Sequence, residues 1–225
     1  MLEDDRKYQR QRAELVEELR ARGISDERVL GAIGRVPRHG FVEPALRGRA
    51  YRDEALPIGL KQTISQPFTV AYQTMLLDPQ PGEKILEIGT GSGYQAAVLC
   101  ELGVRLFSIE RHKPLLDRTQ RILDRLGYRV VLRHGDGWKG WAAGAPFDGI
   151  IVTAGAASVP DALLDQLRVP ASAEAGGTHL GGRLVIPVGG RGGQVMTRII
   201  RTGEETYERE ETHSFRFVPL VRGPR

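Results

Sequence analysis

The sequence predicts an α/β protein on a mixed, mainly parallel sheet, with a C-terminal antiparallel hairpin and an N-terminal helical extension. Three observations carry that expectation. Strand-like and helix-like segments alternate between residues 84 and 188. Within that stretch Ile85-Leu86-Glu87-Ile88 turns through Gly89, Gly91 and Gly93 straight into a helical pattern. Beyond it, two strand-like runs at 194–201 and 207–218 are joined by Thr202-Gly203-Glu204-Glu205, as in a hairpin.

Taken in order, residues 3–22 form a charge-rich helix with Leu15, Val16 and Leu19 at helical spacing and Gly23 closing it. Ser25 is expected to cap a second helix, with Asp26 and Glu27 in its first turn. Its apolar face is Val29, Leu30 and Ile33, and Val36-Pro37 ends it. Residues 37–67 carry prolines and glycines and little periodicity; their aromatic and apolar content favours an ordered, functional segment. A helix over 68–77 is broken by Asp78-Pro79-Gln80-Pro81-Gly82. Strands follow at 84–88, 104–109, 129–133, 148–152 and 183–188, with helices at 93–102, 113–126 and 160–167. Five parallel strands and the hairpin make a seven-stranded sheet. Residues 1–78 then read as N-terminal helices plus an active-site segment, and 79–225 as the core, in one compact unit.

Composition narrows the function. With 225 residues, 40% hydrophobic and 27% charged, the chain has material for one large core. No run approaches the ~18–20 apolar residues of a membrane span. Met1 to Lys7 is charged and lacks the apolar stretch of a secretion signal. The single cysteine, Cys100, sits among small apolar residues, and the five histidines show no metal-ligand spacing. Net charge is only +4, with no basic block long enough for a nucleic-acid arm, and Gly189 to Gly193 reads as a turn. The expectation is a cytoplasmic, monomeric enzyme with no metal, no membrane and no nucleic-acid partner.

In doubly wound sheets ligands bind beyond the carboxyl ends of the strands, where the strand order reverses. There Gly89, Thr90, Gly91 and Gly93 would bring bare backbone close to a ligand. A dinucleotide fingerprint would need glycine at position 94, where Tyr94 stands. The pattern Glu87-x-Gly89-x-Gly91-x-Gly93 instead resembles motif I of class I S-adenosylmethionine methyltransferases, which implies their Rossmann-like fold and S-adenosyl-L-methionine as cofactor. Glu110, ending the second strand, can accept both ribose hydroxyls; the alternative is that it caps the next helix or pairs with Arg111. Asp136, in His134-Gly135-Asp136-Gly137, can accept from an adenine amino group or simply serve the turn. Thr153 lies in the small-residue stretch after the fourth strand. Glu87, the three glycines, Thr90, Glu110, Arg111, Asp136, Gly137 and Thr153 are the cofactor-binding candidates.

A second resemblance is more specific. Val36-Pro37-Arg38-His39, Phe41-Val42, Ala50-Tyr51-Arg52-Asp53, Leu56-Pro57-Ile58-Gly59 and Gln62-Thr63-Ile64-Ser65-Gln66-Pro67 look like the N-terminal part of protein-L-isoaspartate O-methyltransferases. Phe147 to Ile150, Ala162 to Leu167, Gly182 to Gly189 and Phe217-Val218-Pro219-Leu220 continue the match, over roughly residues 25–221. The resemblance implies methylation of the free α-carboxylate of L-isoaspartyl residues in damaged proteins and peptides, which starts repair through a succinimide. It implies Ser65 as the active-site serine, an orienting donor to one carboxylate oxygen, with Thr63 and Ile64 beside the substrate. The backbone around Val218 resembles the segment that clamps the peptide. Two departures stand out: Lys61 where the family has glycine, and an insertion at 168–182 whose His179 is expected to face solvent. A methyltransferase acting on a small molecule or nucleic acid is the competing reading, opposed by the Thr63–Pro67 element. A non-catalytic binder is the third, opposed by the glycine motif, Glu110 and Ser65.

Overall fold

The computed structural model describes residues 5–171, 181–190 and 192–224; the centre of the 168–182 insertion, with His179, lies outside the described residues. Two amphipathic helices open the chain, α1 (Arg6–Ala21) and α2 (Glu27–Arg35), burying Leu15 and Leu19 from one and Val29, Leu30 and Ile33 from the other. The cap of α2 is Asp26, whose carboxylate accepts from the Arg28 N–H, and not Ser25. A carboxylate at that end also meets the helix dipole, which a hydroxyl cannot do as well.

Residues 37–67 are more structured than their sequence suggests. Two 3-10 turns (Arg38–Phe41 and Pro44–Arg49) lead into a hairpin of β1 (Leu56–Gly59) and β2 (Gln62–Ile64). Its two-residue connection, Leu60-Lys61, has both φ angles positive, at 52° and 59°. That is the mark of a type I′ turn, which Asn-Gly or Gly-Gly normally occupies. Left-handed backbone costs about 1–2 kcal/mol per residue with a Cβ. The absence of a turn signature hid this hairpin.

Helix α3 (Pro67–Leu77) is buried along most of its length and packs against α2 and the main sheet. The sheet comprises β3 (Lys84–Ile88), β4 (Arg105–Glu110), β5 (Val131–His134), β6 (Gly149–Val152), β7 (Arg183–Val188), β8 (Gln194–Arg201) and β9 (Tyr207–Phe215), in the order β5-β4-β3-β6-β7-β8-β9. Strands β3 to β7 are parallel and β8 and β9 form the antiparallel hairpin at one side. The result is the Rossmann-like, seven-stranded mixed sheet that the sequence predicts.

Alternation along the strands separates two apolar layers. Ile85, Leu106, Ile151 and Val185 face the layer formed with α1 to α3, α4 (Tyr94–Glu101) and α5 (Lys113–Leu126). Leu86, Ile88, Ile150, Val152, Leu184 and Ile186 face the other layer, with Phe147, Leu163 and Leu167. The β3-α4-β4 and β4-α5-β5 crossovers use one face, and the crossover from β6 through α6 (Asp161–Leu164) to β7 uses the opposite one. Right-handed crossovers running in opposite directions from the centre require this. Strand order therefore reverses between β3 and β6, opening a crevice at their carboxyl ends.

Helix α6 is a single turn, shorter than the 160–167 expected. Gln166 leaves the helix because its amide is used elsewhere, accepting from the Trp141 N–H at 2.6 Å and donating to Lys139 O at 2.9 Å. The strand-like run to 218 also stops at Phe215, since the Gly155 N–H draws the Val218 carbonyl away from the sheet. Among the described residues no helix is long and apolar enough to cross a membrane, and no group of His, Cys, Asp and Glu could hold a metal ion.

Candidate active site at the carboxyl ends of the central strands

The glycine turn after β3 is shaped by contacts that a side chain would destroy. Gly89, Gly91 and Gly93 all have positive φ, at 98°, 53° and 87°. A Cβ on Gly89 would lie 2.5 Å from Thr153 Oγ1, and one on Gly93 would lie 2.6 Å from Thr119 Cγ2. Both neighbours hold the turn itself: Thr153 Oγ1 donates to Gly89 O at 2.7 Å and Thr119 Oγ1 to Gly91 O at 2.6 Å. Thr153 thus ties the end of β6 to the turn after β3, and it lines the cleft above them.

Glu87 lies under this turn and does not line the cleft. Its parallel-strand partner is Ser108, so both side chains leave the sheet on the same face and into the same apolar layer. Ser108 donates to Glu87 Oε2 at 2.5 Å and shares a 2.6 Å hydrogen bond with the Thr90 hydroxyl. The other carboxylate oxygen is buried with no hydrogen-bond partner among the described residues. Complete burial pushes the Glu87 carboxyl up to about 8, against the Ser108 hydrogen bond and with help from the Glu110 charge. Thr90 therefore reaches the cleft with its backbone while its hydroxyl points to Ser108.

Glu110 ends β4 at the cleft and is almost fully buried. Its Oε2 accepts from the Gly91 N–H and its Oε1 from the His112 N–H, both at 2.9 Å. The carboxylate thereby fixes both the glycine turn and the entry to α5. Each oxygen still has a second lone pair for a hydroxyl donor. Arg111 lines the same cleft, but its Nε donates to Gly223 O and it makes no ion pair with Glu110 among the described residues. Gly137 lines the cleft too, and any Cβ there would collide with Ile88. Asp136 stands behind it, one oxygen accepting from the Trp138 N–H at 3.0 Å.

The opposite wall is the segment before the sheet. Gln62, Thr63, Ile64 and Ser65 line the cleft together with Gly89 to Ser92 after β3 and Tyr94 and Gln95 at the start of α4. Gly93 instead packs against Thr119 and Leu123 of α5 and is not part of the lining. Ser65 is half-buried, and its hydroxyl has no hydrogen bond within the protein among the described residues. Its carbonyl is held by Arg38 Nη2 at 2.8 Å. Arg38 is wholly buried, with Nε on Ala50 O at 2.8 Å and its guanidinium 4.6 Å from the centroid of Tyr94. Burial holds its pKa below the usual arginine value. Arg38 stands in the Val36-Pro37-Arg38-His39 motif, where sequence alone assigns it no role; a buried arginine cannot be recognised without its carbonyl partners. Asp53 adds a second anchor by accepting from the Phe68 N–H at 2.7 Å and pairing with Arg22.

The third wall is the chain after β9. Val218, Pro219, Leu220 and Val221 line the cleft. Gly155 N–H donates to Val218 O at 2.8 Å and Leu220 N–H to Gly155 O at 2.7 Å, while the Phe217 N–H is held by Gln194. The Val218 carbonyl is thus already engaged by the protein. The cleft contains about 800 Å³ of empty space, open solvent included. Its titratable lining is confined to Glu110, Arg111, His112 and Tyr94, whose phenol burial raises to about 12. Val70, Ser92, Gln95 and His112 line it without having been singled out.

Comparison with known proteins adds an independent line. The family model described as Protein-L-isoaspartate(D-aspartate) O-methyltransferase matches residues 10–225. A protein-L-isoaspartate O-methyltransferase from Salinibacter ruber is 67% identical over 220 residues, covering 97% of this chain and 94% of its own length. One from Christiangramia forsetii is 50% identical over 98% of each chain. A solved protein-L-isoaspartate O-methyltransferase superposes with a TM-score of 0.79 at 26% identity, over 93% of this chain and 66% of that longer one. A Plasmodium falciparum structure in complex with S-adenosyl-L-homocysteine has a TM-score of 0.75 at 23% identity, over 93% and 98% of the two chains, a likeness of fold.

Proposed function

The chain belongs to the protein-L-isoaspartate (D-aspartate) O-methyltransferase family, and from that premise we propose how its cleft does the family's chemistry. The enzyme transfers a methyl group from S-adenosyl-L-methionine to the free α-carboxylate of L-isoaspartyl residues in proteins and peptides. The ester then closes to a succinimide that can reopen to aspartate. The observation that carries the reading is that Gln62–Ser65 and the glycine turn of β3 face each other across one cleft.

The residues fit the cofactor. Gly89 and Gly91, both at positive φ and both lining the cleft, leave bare backbone for close approach to a ligand, while Gly93 lets the turn pack on α5. Glu110, with spare lone pairs at the end of β4, suits a pair of ribose hydroxyls. Gly137, with Asp136 behind it, suits the adenine end, while Arg111 keeps the tail at Gly223 in place. Thr153 and Thr90 shape the floor, and Glu87 supports it from below. When bound, S-adenosylmethionine supplies a methyl group on a positively charged sulfur.

An acceptor carboxylate has an ordinary pKa near ~4, so it is anionic at neutral pH and needs no general base. The protein's task is alignment, which can lower a barrier by up to ~7–11 kcal/mol in favourable cases. In this role Ser65 donates one hydrogen bond to one carboxylate oxygen and leaves the other to attack. A neutral hydroxyl suits this better than a cation, which would stabilise the ground-state anion. Arg38 fixes the Ser65 main chain from behind. Thr63, Ile64 and the Val218 backbone form the peptide's surroundings, so 1–78 supplies the acceptor wall and 79–225 the cofactor core. A cytoplasmic monomer belongs to the same reading; one cysteine in 225 residues is consistent with a reducing compartment.

The test is transfer of labelled methyl from S-adenosylmethionine to a peptide with one isoaspartyl residue, beside its aspartyl twin. Label on the isoaspartyl peptide alone is expected. Equal labelling of both, or of neither, overturns the reading.

A further inference from the structure

The tip of the β1–β2 hairpin carries a residue that backbone physics disfavours. Leu60 and Lys61 both occupy the left-handed region, and Leu60 is 51% exposed. Glycine at position 61 would adopt φ near 59° without strain. Strained positions cluster at functional sites. Lys61 is exposed, and no ion pair satisfies it among the described residues. It is also the only charge between Leu56 and Gln66.

The charges around it leave it uncompensated. Arg118, which donates to Ile58 O behind the hairpin, is paired with Glu43 at 2.8 Å. Asp53, which accepts from the Phe68 N–H of α3, is paired with Arg22. Glu110 across the cleft has both oxygens on backbone N–H groups. Lys61 is thus an exposed cation with no ion pair among the described residues, four residues before Ser65 on the chain.

We propose that Lys61 is a specificity-determining residue that favours isoaspartyl peptides carrying acidic side chains near the damaged position. The inference rests on the methyltransferase reading above. A strand advances about 3.3 Å per residue, which puts the Lys61 Cα roughly 13 Å from that of Ser65. With the reach of a lysine side chain, the ammonium meets a bound extended peptide about two to four residues from its isoaspartyl group. An exposed ion pair of this kind changes affinity about two- to five-fold and is screened by salt.

The experiment compares the full chain with Lys61→Glu and Lys61→Gly. Each methylates a peptide series in which one residue, two to four positions from the isoaspartyl on either side, is Glu, Gln or Lys. The parent is expected to prefer Glu over Gln by about two- to five-fold in kcat/KM at about 50 mM salt, and to lose that preference near 500 mM. Lys61→Glu should reverse the order and Lys61→Gly, which suits the turn and so folds, should flatten it. An order unchanged in all three proteins, or insensitive to salt, overturns the role of Lys61. Failure of the parent to methylate any peptide of the series overturns the methyltransferase reading instead.

Discussion

Replacing Glu87 by glutamine tests the electrostatics beneath the glycine turn. The carboxyl is fully buried, one oxygen lacks a partner among the described residues, and burial raises its pKa from 4.5 to about 8. A carboxyl whose pKa is higher folded than unfolded contributes stability in full below its unfolded value. That contribution is lost as the pH rises towards about 8, because the unfolded chain ionises first. Within the window the loss is about 1.4 kcal/mol per pH unit, so between pH 5 and pH 8 it approaches about 4 kcal/mol. Against the ~5–15 kcal/mol that holds a typical domain together, this is a large share. Glutamine keeps the shape and cannot ionise. Urea denaturation of both proteins at pH 5, 6, 7 and 8 gives the stability gap at each pH. The gap should move in favour of Glu87→Gln by about 1.4 kcal/mol per pH unit, whatever its value at pH 5. A gap constant across the series would falsify the account of a neutral carboxyl held by Ser108.

Two further substitutions probe the packing of the glycine turn and the support of the acceptor wall. Gly93→Ala combines a φ of 87° with a Cβ 2.6 Å from Thr119 Cγ2 and should destabilise by about 2–4 kcal/mol in urea denaturation; a loss under about 1 kcal/mol would mean that the turn is less confined. Arg38→Lys keeps the charge but not the planar fork that reaches Ala50 O and Ser65 O together. It should destabilise by about 2–4 kcal/mol and raise the peptide KM more than the cofactor Kd, and equal effects on both would remove Arg38 from the acceptor wall.

Where local pattern and tertiary packing agree, the sequence was enough. β3 over 84–88, α5 over 113–126, β7 over 183–188 and β8 over 194–201 have the expected limits, because apolar periodicity decides them. The Glu87-x-Gly-x-Gly-x-Gly spacing located the turn, and the alternation of strands and helices located the crevice. Failures follow from contacts distant in sequence. The hairpin at 56–64 closes on Leu-Lys, without a turn signal. The shortening of α6 depends on Gln166 meeting Trp141, and the end of β9 on Gly155 meeting Val218. Glu87 looked like a ligand contact because strand residues next to glycine turns often are; its register against Ser108 puts it below the floor. Glu110 anchors the start of α5 and also borders the cleft, so its structural role does not exclude a ligand-binding one.

The central claim is a division of labour: the wall bearing Ser65 aligns the acceptor and the wall bearing Glu110 holds the cofactor. Its most direct test measures cofactor Kd and the single-turnover methylation rate at saturation for Ser65→Ala and Glu110→Ala. Ser65→Ala should leave Kd within about two-fold and slow the rate about five- to ten-fold, the size of one hydrogen bond. Glu110→Ala should weaken Kd about 10- to 150-fold, as for bonds to a charged group, and largely keep the rate once saturated. Loss of cofactor affinity in Ser65→Ala with a normal rate at saturation, or an unchanged Kd in Glu110→Ala, contradicts it.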